Sequence, residues 1–161
     1  MTKLGIKQAK VIARKLKNKK FDLAFQTHLC RSTQTLKEVL RHHKGVMVVT
    51  DDRMIERCYG NLEGTSKTKF ELINPHDYKI FHRSYETAPP NGESIKMVER
   101  RVLSFILDLL KKIRKERVNV AISAHGNSMR PFRRYFERFS VQRMMEIENP
   151  QNDYIKYEVR V

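Results

Sequence analysis

The sequence predicts an α/β fold of three layers, α/β/α, around a mostly parallel central sheet. Three observations carry that reading. Helical apolar spacing alternates with short β-branched runs along the chain. The runs at Phe21–Gln26 and Val118–Ser123 are nearly continuous in apolar residues, as in strands covered on both faces. No repeat, low-complexity tract or long linker interrupts the 161 residues, so one domain spans 1–161.

The elements follow in order. Thr2–Asn18 carries Leu4, Val11, Ile12 and Leu16 at helical spacing, with Thr2 placed as an N-cap. Phe21–Gln26 is the first strand, and Leu29–His42 returns to helical periodicity. Gly45 breaks the pattern before a second strand at Val46–Val49. Asp51–Thr65 is polar, holds Gly60 and Gly64, and reads as a loop. A short helix covers Lys67–Ile73 and is ended by Pro75. After the turn Ala88–Gly92, the longest helix runs from Glu93 to Lys115. Val118–Ser123 leads into a helix over Asn127–Phe136, with Pro131 in its first turn. Ser140 starts another short helix, and Tyr154–Val159 alternates as a last, edge-like strand. Such a sheet normally opens with a strand, whereas this chain opens with a helix.

Composition narrows the function classes. At 40% hydrophobic the chain supports a folded core rather than disorder, and no apolar run reaches the length of a membrane span. The start has no signal-peptide character, so the expectation is a cytoplasmic protein. Cys30 and Cys58 are too few for a disulfide framework and have no metal spacing. His28, His42, His43 and His76 are scattered without ligand spacing, so no metal is expected and they read as surface residues. The balance of 33 Lys+Arg against 18 Asp+Glu, net +15, favours anionic ligands, whether phosphorylated metabolites or nucleic acid. It equally suits a solvated lysine surface. Oligomeric state is left open, self-association included.

Ligands of open α/β sheets gather at the carboxyl ends of the strands. That rule selects Thr27–Arg31 and Ala124–Ser128, with a helix start near Asn127 that suits phosphate. His125 and Arg31 would then face a shared anion, and Glu56 lies on a loop that can fold over the same rim.

These segments resemble a known family. Ala124-His-Gly-Asn-Ser-Met-Arg130 is similar to the second histidine motif of cofactor-dependent phosphoglycerate mutases, within the histidine phosphatase superfamily. Thr27-His-Leu-Cys-Arg31 resembles the segment holding the phosphate-pocket arginine, and Glu56-Arg57-Cys-Tyr59-Gly60 the mutase loop that bears an acid. Arg83-Ser84-Tyr85, Pro89-Pro90, Gly92-Glu93-Ser94 and Glu146–Pro150 follow in the family's order. The resemblance implies phosphoryl transfer through a phosphohistidine, here the interconversion of 2- and 3-phosphoglycerate of glycolysis, with 2,3-bisphosphoglycerate as primer and no metal. It casts Glu56 as the proton donor to the leaving oxygen, Arg31 as the grip on the phosphoryl group, and His125 as a donor to the same oxygens. Arg57, Tyr59, Lys67, Arg83 and Asn127 would hold the rest of a phosphorylated small-molecule substrate. One of the family's paired arginines is replaced by His82, which weakens the match to a doubly anionic substrate.

The superfamily's Arg-His-Gly motif occurs nowhere in the 161 residues. The resemblance therefore covers the family domain without its first strand and nucleophile loop, and the domain is expected to be N-terminally incomplete. An upstream start about 30 residues earlier is favoured over true loss of the strand or its supply by a second polypeptide. As written, the chain is expected to be poorly stable and catalytically inactive. Competing readings are a phosphomonoesterase of the same superfamily and a non-catalytic protein that binds anions or nucleic acid.

Overall fold

A computed structural model describes residues 1–160; the side chains of Lys67, His82 and Arg83 lie outside the described set. The first helix, α1 (Lys3–Leu16), starts where expected: Thr2 Oγ1 accepts the Gly5 N–H at 3.1 Å. Its buried stripe is Ala9, Ala13 and Leu16, while Leu4 is 64% exposed. The small alanines let α1 approach α2 (Cys30–Val39), which continues through a 3-10 turn at Leu40–His42.

Strand β1 (Leu23–Gln26) is the centre of a parallel three-stranded sheet. It pairs with β2 (Met47–Thr50), Leu23 opposite Met47, and with β3 (Val120–Ile122), Leu23 opposite Val120. Alternate residues of a strand face opposite ways. Leu23 and Phe25 pack on α5 (Ile95–Glu116), against Val98, Val102, Phe105, Ile106 and Leu109. Phe25 meets Phe105 edge-on, ring centroids 5.1 Å apart. Ala24, fully buried, points to the other face, where α1 and α2 lie. The three layers are therefore α1/α2, sheet, and α5 with α6 (Gly126–Glu137).

This topology fixes the place of a site. The loop after β1 leads to α2 on one face; the loop after the adjacent β3 leads to α6 on the other. Two neighbouring strands whose following segments part to opposite faces leave a crevice at their carboxyl ends.

Three expectations need correction. Tyr154–Val159 forms no strand, because β3 is the sheet's edge and no strand lies alongside this segment. It packs through side chains instead, Tyr157 stacking on Phe136 at 4.7 Å and Val159 resting against the core. Pro75 does not merely end α3 (Lys67–Ile73); it occupies the first turn of α4 (Pro75–Arg83), where its missing N–H costs nothing. The predicted loop Asp51–Thr65 contains two 3-10 turns, Asp52–Met54 and Gly60–Leu62.

A buried polar cluster joins the outer layer. Glu99, 6% exposed, accepts from Arg134 of α6 at 2.5 Å and from the Tyr85 hydroxyl. Burial and this carboxylate push the Tyr85 phenol up to about 12. A short helix α7 (Val141–Glu146), capped by Ser140, closes the fold with Met144 fully buried. The core assignment predicts that Phe105→Ala destabilises by about 3–5 kcal/mol. Leu107→Ala, at a position 54% exposed on the same helix, should stay within about 0.5 kcal/mol. Urea denaturation of the two variants checks the contrast.

Candidate active site

The carboxyl ends of β1 and β3 are sewn together by short polar side chains. Ser32 Oγ donates to the Ser123 carbonyl at 2.7 Å, and Ser123 Oγ returns a bond to the Ser32 carbonyl at 3.0 Å. Ser32 Oγ also accepts the Thr27 N–H. This double latch brings Thr27 and Arg31, from the β1 end, against His125 at the β3 end.

His125 is 5% exposed and both ring nitrogens are engaged. Arg31 Nε–H donates to Nδ1 at 3.0 Å, so Nδ1 is the acceptor nitrogen. Nε2 then carries the hydrogen and lies 2.8 Å from Thr27 Oγ1. Burial, and next the Arg31 charge, lower the imidazole's pKa from its usual 6.5 to about 4. A neutral ring tolerates an adjacent guanidinium; a charged one would repel it. In this arrangement neither nitrogen offers a hydrogen to a phosphate, so the donor role expected for His125 requires Arg31 to turn its Nε–H away.

Glu56 sits at the start of α6. Its Oε1 accepts the Asn127 N–H at 3.0 Å and the Arg57 N–H at 3.0 Å. The α6 start, expected to present free N–H groups, is thus partly committed: Asn127 N–H serves Glu56, and His125 N–H meets Ser128 Oγ. Ser128 Oγ also donates to the Met54 carbonyl at 2.7 Å, tying the helix start to the loop that carries Glu56.

Arg57 is almost wholly buried, 2% exposed, with Nε–H donated to the Glu93 carbonyl and its guanidinium over the Tyr59 ring at 4.8 Å. Burial pulls its pKa down from the usual arginine value. Its Nη1 and Nη2 are buried without a hydrogen-bond acceptor among the described residues. Buried donors of this kind call for an acceptor from outside the fold. Asn127 Nδ2 reaches the Tyr59 hydroxyl at 3.4 Å.

Arg31, Glu56, Arg57 and Tyr59 line one cavity of about 790 Å³. Leu29, Leu62, Phe70, Tyr78 and Phe81 give its wall an apolar stretch. His28, exposed as expected, stands at its rim with Nδ1 2.7 Å from Asp52. The side chains of Lys67 and Arg83 fall outside the described residues, although α3 and α4, which bear them, supply Phe70, Tyr78 and Phe81. Among the described residues no cluster of His, Cys, Asp or Glu is arranged to hold a metal. Cys30 is exposed, Cys58 is half-buried, and both thiols are free.

The sequence motifs contain Thr27 and Glu93 but give them no role, and Arg101 lies outside every motif. Arg101 gives Nη1–H to the Arg53 and Ile55 carbonyls and Nη2–H to the Glu56 carbonyl. Nε and Nη2 also donate to the two Glu93 oxygens, at 2.9 and 3.0 Å. Glu93 Oε2 in turn accepts the Cys58 N–H, which fixes the loop on both sides of Glu56. No spacing signal marks the pair, because Glu93 precedes the Ser94 N-cap of α5 and only the folded chain brings it to Arg101. Gly60 lets this loop dock: at φ +56°, a Cβ there would stand 2.1 Å from the Pro90 carbonyl oxygen.

With this geometry established, similarity to known proteins is informative. The profile of the histidine phosphatase superfamily (branch 1) matches residues 1–159. A 2,3-bisphosphoglycerate-dependent phosphoglycerate mutase of Nitrobacter hamburgensis is 34% identical over 154 residues, covering 92% of this chain and 74% of that protein. The corresponding Chlamydia abortus mutase is 30% identical, covering 98% of this chain and 82% of its own length. Among solved structures, the alpha-ribazole phosphatase from Shigella flexneri superposes with a TM-score of 0.80 at 21% identity, over 94% of this chain and 74% of that one. A mycobacterial glucosyl-3-phosphoglycerate phosphatase gives 0.77 at 20% identity, over 90% and 71%. At that identity the structural likeness speaks for the fold. The sutured strand ends, the Arg31–His125 pair and the loop acid thus stand on the framework shared by these proteins, and the chain belongs to the histidine phosphatase superfamily.

Proposed function

We propose that the crevice binds a phosphoglycerate for phosphoryl transfer of the mutase kind, with 2,3-bisphosphoglycerate as the primer. The observation that carries it is Arg57: Nη1 and Nη2 are buried with no hydrogen-bond acceptor in reach among the described residues, beside the Glu56 carboxyl and within one cavity with Arg31. A substrate with a phosphate at one end and a carboxylate at the other supplies both missing partners. Arg31 holds the phosphoryl oxygens through its remaining N–H donors, and His125 positions Arg31 as a neutral imidazole. Glu56, held by two backbone donors on Oε1, gives a proton to the leaving alcohol oxygen and takes one back in the reverse step. Tyr59 and Asn127 brace the carboxylate end, with Lys67 and Arg83 assigned to the same ligand by their place in the family pattern.

A phosphohistidine needs an attacking histidine, and none is assigned within these 161 residues. His125 is occupied by Arg31 and Thr27, and Arg-His-Gly is absent. The 161-residue polypeptide is therefore proposed to bind substrate without turning it over. The second reading, a phosphomonoesterase, draws on the cavity itself: about 790 Å³ with Phe70, Tyr78 and Phe81 in its wall is more room than a phosphoglycerate fills.

Calorimetric titration separates the readings. 3-Phosphoglycerate should bind better than glycerol 3-phosphate, which lacks the carboxylate. Arg31→Ala should weaken both by tenfold or more, as loss of a charge-assisted phosphate contact implies, at about 1.5–3 kcal/mol. Arg57→Gln should erase the preference for the carboxylate; an unchanged preference sinks the mutase reading. Glu56→Gln should keep binding within about threefold. In a turnover-competent form of the enzyme the same change should slow transfer by about 10²–10⁴-fold.

The imidazole gives a pH test. The folded pKa of His125 lies below its unfolded value, so the neutral form stabilises the fold. That contribution is complete above pH 6.5 and is lost as pH falls from 6.5 towards 4, a swing on the order of 3 kcal/mol. Urea midpoints should drop across that window, and His125→Gln should flatten the drop.

A further inference from the structure

The opposite end of the sheet holds a second concavity that the phosphoryl-transfer reading does not use. It measures about 460 Å³ and is walled by the α1–β1 connection, Lys17–Asp22, and by the approach to β2, His42–Gly45. Both segments precede their strands, so this cavity lies at the amino ends of β1 and β2. The strand separates it from the Arg31 crevice by the length of four residues, about 13 Å.

Its charge is one-sided. Lys17, Lys19, Lys20 and Lys44 all line it, all exposed at their outer surfaces, together with His42 and His43. The one acid in the lining, Asp22, offsets only Lys20: Oδ2 accepts both the backbone and the side-chain N–H of Asn119, and Oδ1 stands 3.6 Å from the Lys20 ammonium. His43 tilts against Phe21 with ring centroids 5.0 Å apart, and its Nε2 is buried with no partner among the described residues. At Gly45 nothing lies within 4 Å of where a Cβ would stand, so the mouth is open beside Lys44.

A concavity lined by one sign of charge focuses potential more than the same charges spread along a helix. Lys3, Lys7 and Lys10 make that contrast, being exposed along α1 and lining neither this concavity nor the Arg31 crevice. Four ammonium groups in one concavity suit several phosphates close together: each ammonium is a compact point charge on a flexible stem, which adapts to a run of phosphates without a fixed fork geometry. We propose that this amino-end cavity binds a small anion bearing several adjacent phosphates, either free polyphosphate or the phosphate run of a nucleotide.

The experiment is calorimetric titration of the 161-residue protein with inorganic tripolyphosphate at low salt, repeated with a nucleoside triphosphate. The Arg31→Ala background removes the crevice as a competing anion site. One equivalent should still bind there, and Lys17→Ala/Lys19→Ala/Lys44→Ala should weaken it at least about tenfold. Lys3→Ala/Lys7→Ala/Lys10→Ala removes the same charge from the α1 face and should change affinity less than about twofold. Amide shifts at Phe21, His43 and Gly45 should report the ligand. Tighter binding of the nucleoside triphosphate than of tripolyphosphate identifies a nucleotide as the source; equal binding identifies free polyphosphate. Equal losses in the two triple variants would mean a diffuse field rather than a site, and overturn the proposal. So would loss of all binding with Arg31→Ala, or binding of an RNA oligonucleotide alone. The phosphoglycerate titrations are read in the Arg31 and Arg57 variants, so failure of either assignment leaves the other standing.

Discussion

The guanidinium of Arg101 spends all five of its N–H donors on a loop that has no sheet to pair with. Three go to the carbonyls of Arg53, Ile55 and Glu56 and two to the carboxylate of Glu93. An irregular segment at a crevice rim would otherwise leave half-buried carbonyls unsatisfied, at a cost comparable to a lost hydrogen bond for each. A lysine has only three donors about one point and cannot span three separate carbonyls and a carboxylate. Because Arg101 projects from the long helix α5, whose other face is the core, the loop's position is inherited from the most rigid element of the fold. Glu56 is placed by that inheritance, and its Oε1 then becomes the partner for the first turn of α6.

A second constraint works from the other side of the crevice. Arg31 and His125 are neighbours only because the imidazole is neutral, and burial keeps it neutral at any pH near 7. The hydrogen-bond order Arg31→His125→Thr27 uses each ring nitrogen once, which fixes the tautomer and the direction of the guanidinium plane. Thr27, fully buried, has its own N–H on Ser32, and Ser32 belongs to the latch with Ser123. Arg31 is thereby referenced to both strands at once. Pre-organisation of this kind is what an anion site requires, since a guanidinium that must be ordered on binding loses part of its affinity to entropy.

Much of this was legible in the sequence, and the limits are physical. Thr2 and the apolar stripe of α5 announced their helices because capping and 3.6-residue periodicity are local signals. The crevice was legible too, since alternation of helix and strand with a glycine after His125 implies strand ends that carry ligands. Arg101 was not legible, because an arginine on a helix face looks the same whether it meets water or three carbonyls. The α4 helix is hidden in the sequence because a proline after a helical run marks a stop and a start equally well. The segment at Tyr154–Val159 has strand-like alternation, yet a ladder needs a neighbour. Here the neighbours are the aromatic faces of α6.

The two ends of the sheet hold cations of two kinds. At the carboxyl ends the cations are Arg31, Arg57 and Arg101, each with its plane fixed by named partners, so that position is specified and charge is partly spent inside the protein. At the amino ends they are lysines on short connections, with one compensating carboxylate already bound to Asn119. Fixed forks select a ligand by shape; mobile point charges select by charge density alone. The net charge of +15 is therefore not a single property of the surface. Part of it is built into the crevice on fixed guanidinium planes, and part stands on lysines around an open concavity whose single lining carboxylate, Asp22, reaches only Lys20.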